Sequence, residues 1–367
     1  MTYRRAVIPA LVGGVLMTLL LWWAGASAQA LQLRGASGVF RIESAVELRR
    51  WLAPWSYDPA TGPYEAAVSD PAVSTAAQYS DLYHTAMQIR FFAVFAFFVA
   101  GTLLLARRIP PTQGRTPATL LALCAWGPVA GTLAVTVSAP WLIASGGRGS
   151  YRILPQLAGV IASSGPVVVF AALVTAGVTV LVARAAVKGT EPQPRQSVPP
   201  RSARLAASVG TGVIALSLVV LSYDSVAAWI QTSFNGAGLL SEPGDLVRQW
   251  LLLGGWAGPS TAPLGDWLLY RAADVVTLAV VWWALRLLPG LLTRITAPAM
   301  TVGAVCATVL GLLASQVLHM AVGDTGAIWG YAHLFSALGN GTPAALTCGT
   351  LAGLSTLAAL HLTRDRS

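Results

Sequence analysis

The chain has 367 residues, of which 55% are hydrophobic and 10% are charged, and its formal net charge is +9. Soluble domains carry about 25% charged residues, and here the apolar residues are concentrated in runs of roughly 20, the length of a helix that spans a bilayer. The composition therefore excludes an ordinary soluble globular protein and predicts a polytopic helical membrane protein embedded in a lipid bilayer. The basic residues flank the apolar runs as topology signals do, so we expect no nucleic-acid partner.

The first half of the chain predicts four transmembrane spans. They cover about residues 6–26, 85–106, 118–144 and 166–184. The sequence Ala-Gln-Ala that ends at Ala30 resembles a signal-peptidase site. The apolar run before it is longer than the roughly 7–15 residues of a signal peptide, so we expect the first span to be retained. The stretches 31–80 and 145–165 are predicted to be outer loops.

The first long loop contains apolar residues at helical spacing. A capping box, Ser44 to Glu47, precedes them. The apolar positions are Leu48, Trp51, Leu52 and Trp55. The pattern predicts a short amphipathic helix, which either lies on the membrane surface with its tryptophans among the headgroups or packs on the protein's own spans.

A polar segment at 185–204 joins the two halves. It contains the chain's only lysine, Lys188, together with prolines and arginines, and almost no residue that would build a core. Such a composition is typical of a linker. We therefore expect a first membrane module over residues 1–184 and a second over residues 205–367.

The second half predicts the same plan. Its four spans cover about residues 205–221, 272–288, 299–318 and 343–361. Its long loop contains a second amphipathic segment with Leu246 and Trp250 on the apolar side. The stretch 319–342 is predicted to be an outer loop.

Landmark residues of the two halves match in order. Arg49/Arg248 and Trp51/Trp250 are 199 positions apart, Tyr83/Tyr270 and Arg107/Arg294 are 187 apart, and Pro166/Pro343 are 177 apart. The offset changes only in outer loops, where insertions are tolerated best. The predicted fold is thus an all-α integral membrane protein with about eight transmembrane helices in two parallel four-helix repeats, and with short amphipathic helices in the two long outer loops. Because each repeat has an even number of spans, the repeat axis is expected along the membrane normal.

Basic residues cluster on the side that holds both termini and the linker. The positive-inside rule makes this side cytoplasmic. We therefore expect a plasma-membrane protein with cytoplasmic termini and with both long loops outside, where they could contact other membrane or extracytoplasmic proteins.

Two charges fall inside apolar runs, Arg90 in the second span and Asp274 in the sixth. Charge inside a membrane is costly and suggests a polar path or a specific partner. One expectation is that the two side chains pair between the modules. The alternative is that Arg90 extends to the headgroups while Asp274 pairs with Arg271.

Histidines and acids recur near the outer ends of the spans. They are Asp81, His84, His319, Asp324 and His333. Such a cluster could hold a metal or haem or move a proton, although its spacings match no ligand motif. The alternative is histidines that are satisfied by their neighbours, and the sequence specifies no cofactor.

Glycines four residues apart indicate close helix contacts. The two pairs are Gly127/Gly131 in the third span and Gly349/Gly353 in the eighth. Small residues at this spacing let helix backbones approach each other in a membrane.

The sequence leaves three functions open. It contains no phosphate-binding loop, no HExxH and no nucleophile elbow. A permease or carrier with a path between the modules is the first hypothesis. A non-catalytic scaffold or complex subunit is the second, and a membrane enzyme or haem/metal protein with an outward-facing His/Asp site is the third.

Overall fold

The computed structural model describes residues 3–30, 48, 51–57, 73–110, 115–145, 153–163, 165–187, 199–233, 242–254, 264–322 and 327–364. These residues are mostly helical, and no β-strand occurs among them. In chain order the α-helices are α1 (Tyr3–Ala30), α2 (Val73–Arg108), α3 (Thr116–Ser145), α4 (Ile153–Ser163), α5 (Gly165–Val187), α6 (Pro200–Ala215), α7 (Asp224–Ser233), α8 (Gly244–Leu251), α9 (Leu264–Leu291), α10 (Ala297–Val322) and α11 (Ala327–Arg364). A π-helix, Leu216–Leu221, continues α6, and Ala53–Trp55 form a 3₁₀ turn.

Eight stretches of helix within the described residues are long and apolar enough to cross a membrane. They are Ala6–Ala28, Tyr79–Arg108, Thr116–Ser145, Val167–Ala186, Pro200–Leu221, Trp267–Leu291, Ala297–Val322 and Gly341–Thr363. Each predicted span lies on one of these helices. The predicted class, a helical membrane protein with eight apolar helices, is therefore confirmed.

Large apolar side chains cover the outside of this helix assembly. Examples are Trp23, Phe92, Phe170, Leu181 and Trp283, each at least 60% exposed. The interior instead contains many alanines, small residues that allow helices to approach closely. An apolar exterior of this extent indicates that the helices are surrounded by lipid.

Two stretches predicted to be loops contain helix. Helix α4 occupies most of the second predicted loop of the first half, and α10 and α11 together cover most of the stretch 319–342. A hydropathy criterion detects apolar runs of bilayer length. It therefore misses the short α4. It also ends the seventh span before α10 ends, and it begins the eighth span after α11 has begun.

The helices of each half contact one another in the same order. In the first half, α1 and α3 each pack against both α2 and α5. In the second half, α6 and α10 each pack against both α9 and α11. The halves meet mainly where α3 and α5 contact α10 and α11.

The predicted packing glycines all lie at helix contacts. A Cβ on Gly127 would be 2.2 Å from the Cβ of Ala172 in α5, and Gly131 faces Val168 of the same helix. In the second half, a Cβ on Gly349 would be 2.7 Å from the Cα of Val305 in α10. Gly353 lies against Thr301 in the same way, so side chains at these positions would push the helices apart.

The apolar residues of the first long loop do not all lie on the membrane surface. Trp55 is fully buried and Leu52 is 9% exposed, while Leu48 and Trp51 are half-buried. The backbone of Trp55 fits against Gly25 of α1, and its ring centroid is 6.1 Å from that of Phe91 in α2. For Leu52 and Trp55 the membrane-surface interpretation is thus wrong, because the spans themselves offer an apolar surface that buries them.

Helix α8 of the second long loop also packs on the protein. Leu246 and Trp250 are half-buried against the core. The carbonyl oxygen of Trp250 accepts a hydrogen bond from the Thr347 hydroxyl in α11. These contacts fix α8 over the end of the second half, beside the cavity described next.

Candidate functional site

A cavity of about 630 Å³ lies at one end of the second half. It lies between α4, α8, α9 and α10, and the turn Leu252–Gly254 and Gly341 of α11 complete its wall. Its polar lining includes Asp245, Arg248, Gln249, Tyr270, Arg271, Asp274, Thr277, Ser315, Gln316 and His319. Asp245 and Arg248 are exposed and mark the end at which the cavity meets the surface.

One wall is formed by Arg271, Asp274 and Thr277, which follow each other about one turn apart on α9. Nη1 of Arg271 lies 2.9 Å from Oδ2 of Asp274, an ion pair between residues three apart on one helix. Such residues are neighbours on a helix surface. One turn further, the Thr277 hydroxyl donates to the carbonyls of Ala273 at 3.0 Å and Gly311 at 3.3 Å, which links α9 to α10.

Helix α8 is held over the cavity by side-chain hydrogen bonds. Gln231 of α7 donates through Nε2 to Oδ1 of Asp245 at 2.5 Å and accepts through Oε1 from Nη1 of Arg248 at 3.0 Å. Gln249 donates through Nε2 to the carbonyl oxygen of Ala158 in α4 at 3.2 Å. Oε1 of Gln249 is buried and has no hydrogen-bond partner among the described residues, so the cavity lining contains an unused acceptor.

The predicted histidine and acid cluster is only partly described. The His319 ring lies 5.2 Å from the Tyr270 ring at the cavity, whereas the His84 ring lies 5.1 Å from Tyr57 in the first half. Asp81 is exposed on α2. Asp324 lies outside the described residues, as does the side chain of His333. Within the described residues, no three His, Cys, Asp or Glu side chains form a group that could hold a metal ion.

Arg90 is the most deeply buried charge described. It is 1% exposed, and its Nε donates to the Ser138 hydroxyl of α3 at 2.9 Å. Its Nη1 donates to the carbonyl oxygen of Pro54, and its guanidinium carbon lies 5.7 Å from the centroid of the Trp55 ring. The guanidinium therefore joins α2, α3 and the 3₁₀ turn.

The predicted pair between Arg90 and Asp274 is wrong. Each charge has partners within its own half, and for Asp274 the partner is Arg271, as the alternative proposed. Arg90 does not extend to headgroups either. Its guanidinium instead contacts the carbonyl of Pro54 and the ring of Trp55 inside the protein. The short Asp274 side chain meets a cation one turn back on its own helix.

At the sequence offsets given above, two residues that line the cavity align with large buried side chains of the first half. At the offset of 199, Gly254 stands where the first half has Trp55, and at the offset of 187, Thr277 stands where it has Arg90. Gly254 and Thr277 both line the cavity. The indole and guanidinium that fill the first half are thus replaced by a hydrogen atom and a small hydroxyl group. In the sequence, only the replacement of these two large side chains by Gly254 and Thr277 indicates the cavity. Neither residue attracts notice by itself.

The contact between α3 and α10 is closed and apolar. Cys306 is 2% exposed, and its Sγ donates to the carbonyl oxygen of Ala122 at 3.3 Å. Ala122, Val305 and Val309 around it are buried as well. The halves are therefore in tight contact at this level, and the cavity lies towards the helix ends that carry Asp274.

Together these observations describe a polytopic helical membrane protein with a partly polar cavity at one end of its second half. Comparison with known protein families, with characterised proteins and with solved structures finds no match for this chain.

Proposed function

We propose that this protein is a carrier-like membrane protein whose cavity receives a small polar solute from the outer side of the plasma membrane. The observation that carries the proposal is the cavity of about 630 Å³ with polar groups on several walls. Small-molecule sites have volumes of about 300–1,000 Å³ and a few convergent polar groups in a mainly apolar lining.

The lining favours a solute that is neutral overall. Its cations and carboxylates, Arg248 with Asp245 and Arg271 with Asp274, are present in equal number. A solute with a net charge would find no excess of the opposite sign. A zwitterion or a polyhydroxylated molecule, of the size of an amino acid or a monosaccharide, matches the paired charges and the unused acceptor of Gln249.

The proposal includes the two-module organisation, with modules 1–184 and 205–367 joined by the linker 185–204. The matched landmarks and the equal order of helix contacts in the two halves support it. Helix α4 of the first module closes the cavity wall through the bond of Gln249 to Ala158. A movement between the modules would therefore change access to the site, as alternating access requires. The proposal that the cavity faces the outer side rests on the positive-inside rule. Arg107, Arg184 and Arg294 lie at the helix ends opposite the cavity, which the rule makes cytoplasmic.

A cysteine accessibility experiment tests the site in the full-length chain. Gln316→Cys, on the cavity wall, is treated with a membrane-impermeant methanethiosulfonate in intact cells. We expect labelling above the level of the three native cysteines. Gly254→Trp, introduced into the Gln316→Cys protein, should slow the labelling reaction by roughly tenfold or more, because an indole that fills the cavity excludes the reagent. A Cβ on Gly254 would lie 3.6 Å from Leu218 Cδ1, an ordinary contact, so a side chain can start at this position without a clash.

The matched control is Thr308→Cys, two turns away on α10 and fully buried. It should remain unlabelled. An unlabelled Gln316→Cys in a folded protein, or equal labelling with and without Gly254→Trp, would contradict an outward-open cavity.

A thermal-shift screen tests the solute class. Neutral amino acids and monosaccharides are added to the purified wild type and to Gly254→Trp. A solute that binds only the folded state stabilises it by about 2.7 kcal/mol at a hundred times its Kd. We expect one of the two classes to raise the Tm of the wild type alone. Equal shifts, or none, would contradict the carrier proposal.

A second candidate function is a non-catalytic subunit. The closed, apolar contact of α3 with α10 favours it, and so does Trp229, which is 65% exposed on the short outer helix α7. An accessible Gln316→Cys without any solute effect would favour this candidate. Among the described residues, no observation favours the enzyme.

A further inference from the structure

A second cavity, of about 500 Å³, lies at the opposite ends of the helices, between the end of α2 and the start of α10. Ala100, Leu103 and Leu104 form an apolar wall, and Arg107 and Arg108 follow them on α2. Thr296 and Pro298 form the other side. The groove thus has one long apolar part and one cationic end.

This division matches the cross-section of a membrane. Seven residues separate Ala100 from Arg107, a rise of about 10 Å along the helix. The apolar wall therefore runs from the headgroup level into the hydrocarbon, at the depth of the first part of an acyl chain. Arg107 is exposed and Arg108 half-buried, so both guanidinium groups lie where their stems can follow apolar surface and their heads can meet phosphate.

Among the described residues, the charged side chains at these helix ends are all basic. Arg107, Arg108, Arg201, Arg286 and Arg294 lie there, whereas the described carboxylates are on the segments towards the other ends, as Asp81, Asp245 and Asp274 illustrate. A surface of one sign attracts and concentrates the opposite charge. An anionic headgroup is therefore favoured over a zwitterionic one.

The two halves also contact each other beside the groove. The backbone N–H of Thr293, between α9 and α10, donates to the carbonyl of Arg108 at 2.9 Å, and its hydroxyl donates to the carbonyl of Arg107 at 3.4 Å. A molecule in the groove would contact α2 from one half and residues 296–298 from the other. Its binding would stabilise this junction.

We infer that the groove binds an anionic phospholipid of the adjacent leaflet. Its phosphate lies at Arg107 and Arg108, and one acyl chain lies along Ala100, Leu103 and Leu104. The arginines recognise the charge through hydrogen bonds to the phosphate oxygens, and the apolar wall distinguishes a lipid from free phosphate. This site is independent of the proposed solute cavity.

Native mass spectrometry of the full-length chain in detergent tests the inference, with phosphatidylglycerol and phosphatidylcholine as the two probes. We expect phosphatidylglycerol to bind more tightly and to raise the Tm. The double variant Arg107→Gln/Arg108→Gln should bind it about 30-fold more weakly, the loss expected for two basic residues near an anionic surface. Arg294→Gln, which removes an exposed cation of the same helix ends outside the groove, should retain the wild-type affinity.

A steric variant keeps the test decisive if the double variant does not fold. Leu103→Trp fills the apolar wall and keeps both arginines, and we expect it to lose phosphatidylglycerol as well. Equal affinity for the two lipids would overturn the inference. So would unchanged phosphatidylglycerol binding in Leu103→Trp, or its displacement by millimolar inorganic phosphate.

Discussion

Two regions of the molecule that align at the sequence offsets of 199 and 187 differ in how their interiors are filled. In the first half, the fully buried Trp55 and Arg90 fill the space between α2, α3 and the turn that precedes α2. In the second half, the residues at the aligned positions, Gly254 and Thr277, line the cavity. The buried Met87 of the first half corresponds at the offset of 187 to Asp274, which lines the cavity.

The difference illustrates how the size of the side chains decides whether a space between packed helices is filled or open. Burying a guanidinium is costly, and it is tolerated in the first half because a carbonyl, a hydroxyl and an indole surround it. Without an indole and a buried guanidinium there is room for water or a solute. The charged side chains of the second half, Arg271 and Asp274, lie on the cavity wall. We expect the first half to hold the structure and the second to bind, and the following substitutions test that division.

The largest effect is expected for Trp55→Gly, which gives the first half the residue of the second. It removes a fully buried indole, and such losses cost about 3–5 kcal/mol of unfolding free energy. Thermal unfolding in detergent measures it. Trp23→Ala is the control, since that side chain is 67% exposed on the lipid-facing side and its loss should leave the Tm almost unchanged. If both variants unfold like the wild type, Trp55 does not support the first half.

The second largest effect is expected for Arg90→Met, with a loss of about 2–4 kcal/mol of unfolding free energy. The substitution removes hydrogen bonds from a charged donor and leaves the carbonyl of Pro54 without its partner. Arg90→Lys should recover part of the loss, since a lysine keeps the charge but lacks the planar fork that reaches two acceptors. The two Tm values provide the measurement. A lysine variant as unstable as the methionine variant would show that geometry, and not charge, holds the turn.

Gly127→Ala should cost about 1–3 kcal/mol, because its Cβ would overlap the Cβ of Ala172. The double variant Gly127→Ala/Ala172→Gly removes the Cβ that the new alanine would overlap, and it should recover much of the loss. Double-mutant analysis of the unfolding free energies measures this coupling.

The control for this swap is Gly212→Ala on α6. A Cβ there meets no atom within 4 Å, so alanine should be neutral or stabilising. Additive losses in the double variant would mean that positions 127 and 172 do not pack against each other as the structure shows.

Asp274→Asn should have the smallest effect on stability, below about 1 kcal/mol. The ion pair with Arg271 is partly exposed, with side chains 19–20% accessible, and such pairs contribute little. Solute binding should be affected more than the Tm, since the substitution leaves the cavity with an excess positive charge. A large Tm loss with unchanged solute binding would assign Asp274 a structural role.

Sequence reasoning and structure agree best where the physics is local. Hydropathy depends on consecutive residues, so all eight apolar helices were predictable, and so were Arg90 and Asp274 as unusual charges within them. The partners of these charges were harder to predict. Pro54 and Ser138 are 36 and 48 positions from Arg90, and no local pattern connects residues so far apart.

The sequence by itself thus determined the class of the protein, the positions of its membrane helices and the small residues at their contacts, because the bilayer imposes length, apolarity and close packing on each segment separately. Only the tertiary structure decided that Trp55 lies in the core, that α4 and α8 close over one end of the second half, and that a cavity opens where Gly254 and Thr277 stand. A cavity is the space left by side chains from several helices. Its existence depends on how those helices pack together, which the residues of a single segment do not specify.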